Sequence, residues 1–355
     1  MPHVSHRPLR AASLAPMVLA LVLCMPGLAV EAAPASIPAG IPVEFWNLST
    51  GSRIGYVRIP APDRAGAPAL VFVHGGPGAC QVYSYSFARP WYERLAGHGF
   101  DVYLYDQIGS GFSARLRDPR QYTLDRHIAD LEAIRKVIGS ERLILIGESH
   151  GATLSAGYMA AHPDHVERAI FVAPGAIEPA EWKQIEFTYP APGFLEWIRK
   201  TRGAEAARRH EGFLDLLRRD VLAAYRFAGD EEMDPLMDAF VRETILTTCV
   251  HDPARITERH FEVPGMGWWV GLMTSHDELE HNRAARSRLS QSRHPVLILR
   301  GDSDFVPWRA ADEYAATFRN SKLIHIPAAG HFIWMDQPDR YCDEIEAFLL
   351  TLRRP

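Results

Sequence analysis

The sequence has few cysteines, and their arrangement is typical of neither a disulfide framework nor a metal site. Only Cys24, Cys80, Cys249 and Cys342 occur in 355 residues, and the sequence contains no CxxC pair, no HExxH motif and no cluster of cysteine and histidine. We therefore predict no metal site. Without Cys24, which lies in the N-terminal segment discussed below, the remaining three cysteines allow at most one disulfide bond, and the sequence does not show which pair would form it.

Runs of charge of one sign are also absent. The formal net charge is −5, and the charged residues are spread along the chain. A nucleic-acid-binding protein needs a clustered basic face, so no nucleic-acid partner is predicted. The hydrophobic fraction of 47% is high enough for a buried core, which excludes a disordered chain.

One apolar stretch stands apart at the N-terminus. Residues 14–29 are mostly apolar, follow Arg7 and Arg10, and precede several alanines. A basic segment, a short apolar segment and small residues are typical of a secretory signal. We predict a signal peptide over residues 1–33 and an exported protein, periplasmic or secreted, with no stable membrane insertion after cleavage. An uncleaved membrane anchor is the alternative.

Short β-branched runs alternate with helical patterns along most of the chain. Four of the strand candidates contain a run of four apolar residues, as in strands buried on both faces of a parallel sheet: Leu-Val-Phe-Val, Leu-Ile-Leu-Ile, Ile-Phe-Val-Ala and Val-Leu-Ile-Leu. Helical spacing of apolar residues predicts helices over 123–138, 151–161 and 341–352. The pattern predicts an α/β fold with a mostly parallel central sheet flanked by helices. The strand candidates are 55–59, 69–73, 101–105, 143–147, 169–173, 296–300 and 323–326.

The alternation stops between about residues 175 and 292. This region has helical patterns, for example over 204–227 and 234–247, and no convincing buried strand. A strand-like run resumes directly after it. We therefore predict one core in two halves, 34–174 and 293–355, with a mostly helical cap over 175–292 inserted between them. A separate second domain is the alternative.

The strongest chemical signal is Gly147-Glu148-Ser149-His150-Gly151, which lies between an apolar strand and a helix. A serine hydroxyl is a weak nucleophile until it is exposed beside a base, and a sharp strand–turn–helix elbow exposes it. Ser149 is the predicted nucleophile.

An acid and a base are then expected further along the chain, in that order. Asp304 and His331 each follow a predicted strand, at the end where parallel sheets place their active sites. We predict Ser149, Asp304 and His331 as a catalytic triad, with Asp302 as the rival acid.

A glycine-rich turn, HGGPG at 74–78, follows the strand candidate at 69–73. Glycines let backbone N–H groups approach a bound carbonyl closely. The N–H groups of Gly76 and His150 are the predicted oxyanion hole.

Together these motifs resemble the proline iminopeptidase branch of the α/β-hydrolases. The resemblance rests on HGGPG at 74–78, DQIGSG at 106–111, the GxSxG elbow, the GxxD motif ending at Asp304 and the Gly-His pair ending at His331. It extends over nearly all of the chain after the predicted signal peptide. It implies an α/β-hydrolase fold and an aminopeptidase that removes an N-terminal residue, often proline, without a metal or cofactor.

In this family, carboxylates of the cap hold the free amino group of the substrate. The resemblance implies Glu258 for this role, in an Ala-Arg-Ile-Thr-Glu segment that matches the family only approximately, and Asp277 or Glu278 as a second acid. The elbow also departs from the family, because His150 stands where tryptophan is frequent.

Three functions are open on these residues. The first is an aminopeptidase acting on a small peptide, and the second is an esterase or lactonase using the same triad. The third is a non-catalytic binding protein on a hydrolase scaffold, which the retention of all three triad residues disfavours.

Overall fold

The computed structural model describes residues 37–62, 66–179, 193–257, 265–281 and 284–351. The predicted signal peptide, residues 1–33, lies outside them. None of the helices within these ranges is long and apolar enough to cross a bilayer.

Eight strands of the described residues form one sheet in the order β1-β2-β4-β3-β5-β6-β7-β8. β2 is antiparallel to both β1 and β4, and all other pairs are parallel. The predicted mostly parallel sheet is thereby confirmed. The strands are β1 (Glu44–Asn47), β2 (Arg53–Ile59), β3 (Ala69–Val73), β4 (Asp101–Tyr105), β5 (Leu143–Glu148), β6 (Val166–Val172), β7 (Val296–Gly301) and β8 (Ser321–Ile326).

Helices cover both faces of the sheet. The helices of the core are α1 (Tyr85–Gly97), α2 (Leu124–Ile138), α3 (His150–Ala161), α9 (Arg309–Thr317), α10 (Ile333–Asp336) and α11 (Pro338–Thr351). Between β6 and β7 lie α4 (Phe194–Leu217), α5 (Val221–Phe227), α6 (Asp230–Phe240), α7 (Trp268–Glu280) and α8 (Ala285–Leu289).

Alternate residues of the central strands belong to two hydrophobic clusters. In β3, Leu70 and Phe72 pack in the cluster that contains apolar residues of α1 and α11. Val71 and Val73 pack in the cluster that contains residues of α2, α3 and α9. A strand covered on both faces must be apolar at successive positions, which explains why these runs do not alternate with polar residues.

The region between β6 and β7 contains helices and no strand within its described residues. Its helices match the predicted helical content, although α4 is broken at Gly203, where φ is 89°. The predicted limits of the cap, residues 175 and 292, stay a prediction. The region is fastened to the core by backbone hydrogen bonds: Gly267 N–H donates to Gly78 O at 2.8 Å, and Gly111 N–H donates to Gly265 O at 2.8 Å.

The turn from β5 into α3 passes very close to β3. A Cβ atom on Gly151 would overlap the carbonyl oxygen of Val73, which is main chain and cannot move aside. Only glycine therefore fits at position 151, the second residue of α3.

We expect Gly151→Ala to prevent folding or to lower the melting temperature strongly, because either the sheet or the helix must shift. Gly212→Ala is the matched control: this glycine lies within α4, and nothing lies within 4 Å of the position that a Cβ atom would take there. The control should be neutral or stabilised by up to about 1 kcal/mol. Thermal unfolding by circular dichroism measures both. Equal melting temperatures for the two variants would contradict this description of the turn.

Candidate active site

Ser149 lies at the junction of β5 and α3 with a backbone φ of 55° and ψ of −121°. A positive φ is rare for a residue with a side chain and costs on the order of 1–3 kcal/mol, so the surroundings must hold it. The serine N–H donates to Val172 O at 2.9 Å, and its carbonyl accepts from Ala152 N and Gly175 N, each at 3.0 Å. These three bonds fix the turn from both sides.

His331 and Asp304 are directly paired. His331 Nδ1 lies 2.8 Å from Asp304 Oδ1, and the two side chains are only 4% and 2% exposed. Because an ionised carboxylate only accepts hydrogen bonds, this contact places the proton of the neutral ring on Nδ1 and leaves Nε2 as an acceptor. Asp302, the rival acid, lies 3.7 Å from His325 instead and is about half exposed.

One cavity of about 1040 Å³ has both Ser149 and His331 in its wall. Residues of the HGGPG turn and of α6 and α7 also line it. The structure thus brings the predicted nucleophile and the predicted base to one cavity, with the acid directly behind the base.

The HGGPG turn packs directly against Ser149. A Cβ atom on Gly75 would lie 2.7 Å from the serine Cβ, so the turn approaches the elbow as closely as backbone allows. The N–H of Gly76 has no acceptor within the described part of the chain. His150 is the first residue of α3, where N–H groups have no acceptor within the helix. Both N–H groups are therefore available to a bound oxyanion.

The side chain of His74 holds this turn in place. Its Nε2 accepts from Gln107 N–H at 2.9 Å, and Gln107 Nε2 donates back to His74 O at 2.8 Å. Burial lowers the pKa of His74 to about 4, so the ring is neutral at physiological pH. With its acceptor nitrogen occupied, His74 is a structural brace.

Asp106 fixes the following segment. Its carboxylate accepts from the backbone N–H groups of Gln81 at 2.6 Å, Val82 at 3.0 Å and Phe112 at 2.8 Å. Burial raises the pKa of Asp106 to about 6, against the opposing effect of these hydrogen bonds. The DQIGSG and HGGPG motifs thus form one braced unit.

The three acids that the family resemblance implies fall in different places. Glu258 lies outside the described residues. Asp277 accepts from Leu124 N–H at the start of α2 and pairs with His281 at 3.1 Å, and it does not line the cavity. Glu278 does line the cavity, where its Oε1 lies 2.6 Å from His150 Nε2, with both side chains 6% exposed.

Glu148, the residue before Ser149, has no role predicted from the sequence. It lines the same cavity and accepts a hydrogen bond from Trp334 Nε1 at 3.0 Å. Burial raises its pKa to about 7, while the charge of His331 and the hydrogen bond from Trp334 oppose the increase. The only signal in the sequence is a glutamate within the GxSxG motif itself.

The three cysteines after the predicted signal peptide are free thiols, and all three line the cavity. The single disulfide bond that the sequence allowed is not formed. Burial raises the pKa of Cys249 and of Cys342 to about 12 in each case. Neither is therefore a thiolate nucleophile.

One group of the described residues has the geometry of a metal site, although the sequence predicts none. Ligand atoms of Glu132, His162 and His165 lie within 4.8 Å of one another. The Glu132 carboxylate, however, already accepts two hydrogen bonds from Arg135 at 2.8 and 2.9 Å and one from Tyr158 at 2.8 Å. A guanidinium at the same oxygens repels a cation, so we assign no metal to this group.

Comparisons with known proteins agree with this architecture. A family model described as the alpha/beta hydrolase fold matches residues 68–338. The proline iminopeptidase of Saccharolobus solfataricus is 25% identical over 281 residues, which cover 79% of this chain and 84% of that protein.

Solved structures show the same fold. The proline iminopeptidase-related protein of Thermus thermophilus superposes with a TM-score of 0.58 and 23% identity, covering 86% of this chain and 96% of that one. An esterase from Exiguobacterium antarcticum gives a TM-score of 0.62 at 15% identity, covering 86% and 99%. The chain therefore belongs to the α/β-hydrolase family, within which it is similar to the proline iminopeptidases.

Proposed function

We propose that the chain is a serine hydrolase acting by acyl transfer, and that its substrates are small peptides with a free N-terminus. The observation that carries the proposal is the arrangement of a serine at a positive φ and a buried His–Asp pair around one cavity. The similarity to proline iminopeptidases supports the choice of substrate.

In the proposed mechanism, Ser149 Oγ attacks the scissile carbonyl carbon while His331 Nε2 takes its proton. Asp304 holds the histidine in the required tautomer and stabilises the cation that forms. The N–H groups of Gly76 and His150 stabilise the oxyanion, each by roughly 3 kcal/mol. His331 then protonates the leaving amine, and a water molecule activated by the same nitrogen releases the acyl group.

The free amino group of such a substrate is a cation and needs a carboxylate in the cavity. Among the described residues, Glu148, Asp238 and Glu278 are the carboxylates that line it. Asp238 already accepts from the backbone N–H groups of Gly265 and Met266 at 2.9 and 2.8 Å. A role of Glu258 in binding the amino group stays a prediction. Export of the protein also stays a prediction.

An esterase is the second candidate, since a large and largely apolar cavity also suits an acyl chain. In that case no carboxylate would be required to face the substrate. The two candidates therefore differ in how they respond to a blocked amino group.

We expect Ser149→Ala to abolish both turnover and labelling by a fluorophosphonate, since the reagent reacts with the activated hydroxyl. Intact-mass spectrometry after labelling measures this, with the far-ultraviolet circular dichroism spectrum as the control for folding. Ser155→Ala is a matched control, because Ser155 lies six residues later in α3 and is fully buried. Labelling that persisted in Ser149→Ala would contradict the assignment of the nucleophile.

We expect Asp304→Asn to lower kcat by about 10⁴-fold, because the amide donates to Nδ1 and stabilises the wrong histidine tautomer. Asp302→Asn should stay within about twofold, since this carboxylate is half exposed and does not contact His331. Steady-state kinetics on 4-nitrophenyl butyrate measures both variants without assuming a peptide substrate. The reverse order of effects would make Asp302 the acid.

We expect proline 4-nitroanilide to be cleaved and its N-acetyl derivative to be cleaved at least about 100-fold more slowly, because acetylation removes the positive charge. Initial rates at equal concentrations measure the preference, with Ser149→Ala as the blank. If neither anilide reacts while 4-nitrophenyl butyrate does, the chain is an esterase.

A further inference from the structure

Glu148 stands out as a carboxylate in the cavity wall without a cationic partner. Among the described residues, the one hydrogen bond to its carboxylate is from the Trp334 indole, and no arginine or lysine pairs with it. Glu278, by contrast, is 2.6 Å from His150 Nε2. An uncompensated carboxylate in a desolvated site is unfavourable unless a ligand provides the missing charge.

The Trp334 ring that donates to this carboxylate packs against further aromatic rings. Trp334 stacks on Phe87, with ring centroids 5.4 Å apart and an interplanar angle of 17°, and also contacts Phe332 at 5.5 Å. In the same cavity wall, the rings of Trp91 and Tyr341 have centroids 5.2 Å apart. We call these five residues the aromatic wall; all of them line the cavity.

The carboxylate of Glu148 lies close enough to the aromatic wall to act on it electrostatically. The pKa of the Tyr341 hydroxyl is raised mainly by burial and next by the charge of Glu148. Aromatic faces attract cations through their quadrupole, and the attraction strengthens where water is excluded. A carboxylate beside several such faces is therefore suited to an ammonium group and unsuited to an anion.

Glu148 lines the same cavity as Ser149 and His331, the predicted nucleophile and base. Glu148 directly precedes Ser149, and the charge of His331 lowers the pKa of Glu148. We expect a group bound there to belong to the acyl part of the substrate, few bonds from the carbonyl. The α-amino group of an N-terminal residue meets this requirement.

We propose that Glu148 and the aromatic wall form a subsite for a small alkylammonium group, which in the substrate is the free N-terminal amine. Only the identification of this ammonium group with the N-terminal amine rests on the proposed function. Binding of an ammonium group itself needs no catalysis. In this proposal, core residues next to Ser149 recognise the positive charge of the substrate, and the helices between β6 and β7 do not.

The test uses pyrrolidinium chloride and its uncharged analogue cyclopentanol, which are not substrates. At about pH 8 Glu148 is mostly ionised, given its pKa of about 7, and pyrrolidine is protonated. We expect the wild-type protein to bind pyrrolidinium at least about tenfold more tightly than cyclopentanol, as measured by ligand-observed NMR titration. Equal affinity for the two probes would overturn the proposal without any variant.

Glu148→Gln removes the charge but keeps the shape of the side chain and an acceptor for the Trp334 N–H. We expect it to weaken pyrrolidinium binding about tenfold and to change cyclopentanol binding by less than about twofold. Glu278→Gln is the matched comparison, since it removes the other glutamate charge of the cavity wall. If Glu148→Gln keeps the wild-type preference for pyrrolidinium, the proposal is wrong, whatever Glu278→Gln does.

Failure of this proposal and failure of the proposed function give different results. Ammonium binding that depends on Glu148, together with no cleavage of proline 4-nitroanilide, would keep the subsite and change the substrate. Cleavage of the anilide with no effect of Glu148→Gln on pyrrolidinium binding would keep the aminopeptidase and place the amine elsewhere.

Discussion

The close approach of three chain segments at Ser149 is the constraint on which the rest of the site depends. The serine can hold a φ of 55° only because the main chain on both sides accepts or donates hydrogen bonds to it. Those neighbours are the end of β6 and the start of α3, and the end of β3 lies close enough to exclude any side chain at Gly151. The conformation that exposes the hydroxyl is thus stabilised by the sheet itself.

The loops around the elbow are held in place by buried polar side chains. Asp106 fixes the segment after the HGGPG turn, and the buried pair of Arg115 and Asp234, 2.9 Å apart, ties the segment after β4 to α6. Asp234 in turn accepts from Trp268 N–H at the start of α7. Arg115 and Trp268 thus share Asp234 as a partner, so one buried carboxylate holds together the segment after β4 and two helices of the region between β6 and β7.

The sequence predicts those parts of the structure that depend on local pattern. Buried strands such as β3 and β5 are apolar at successive positions, and the loops that follow them carry the predicted chemistry. β1 could not be predicted in this way, because an edge strand of four residues has no apolar pattern of its own. Glu148 was missed for a different reason. Its surroundings come from residues 87–91 and 332–341, and no local pattern shows that these segments meet beside the elbow.

The three carboxylates that line the cavity among the described residues differ in their hydrogen-bond partners. Asp238 accepts hydrogen bonds from two backbone N–H groups and Glu278 lies 2.6 Å from His150 Nε2, whereas the Glu148 carboxylate accepts one hydrogen bond, from Trp334. Burial raises the pKa of Glu148 to about 7, and the charge of His331 and the hydrogen bond from Trp334 offset this rise only in part. In the proposed subsite, a bound ammonium would favour the ionised form and would offset part of the free energy lost by burying this carboxylate. If the proposed subsite binds the substrate, selectivity for a charged amine follows from the desolvation of one glutamate, and the proposed triad without that glutamate would favour neutral acyl groups.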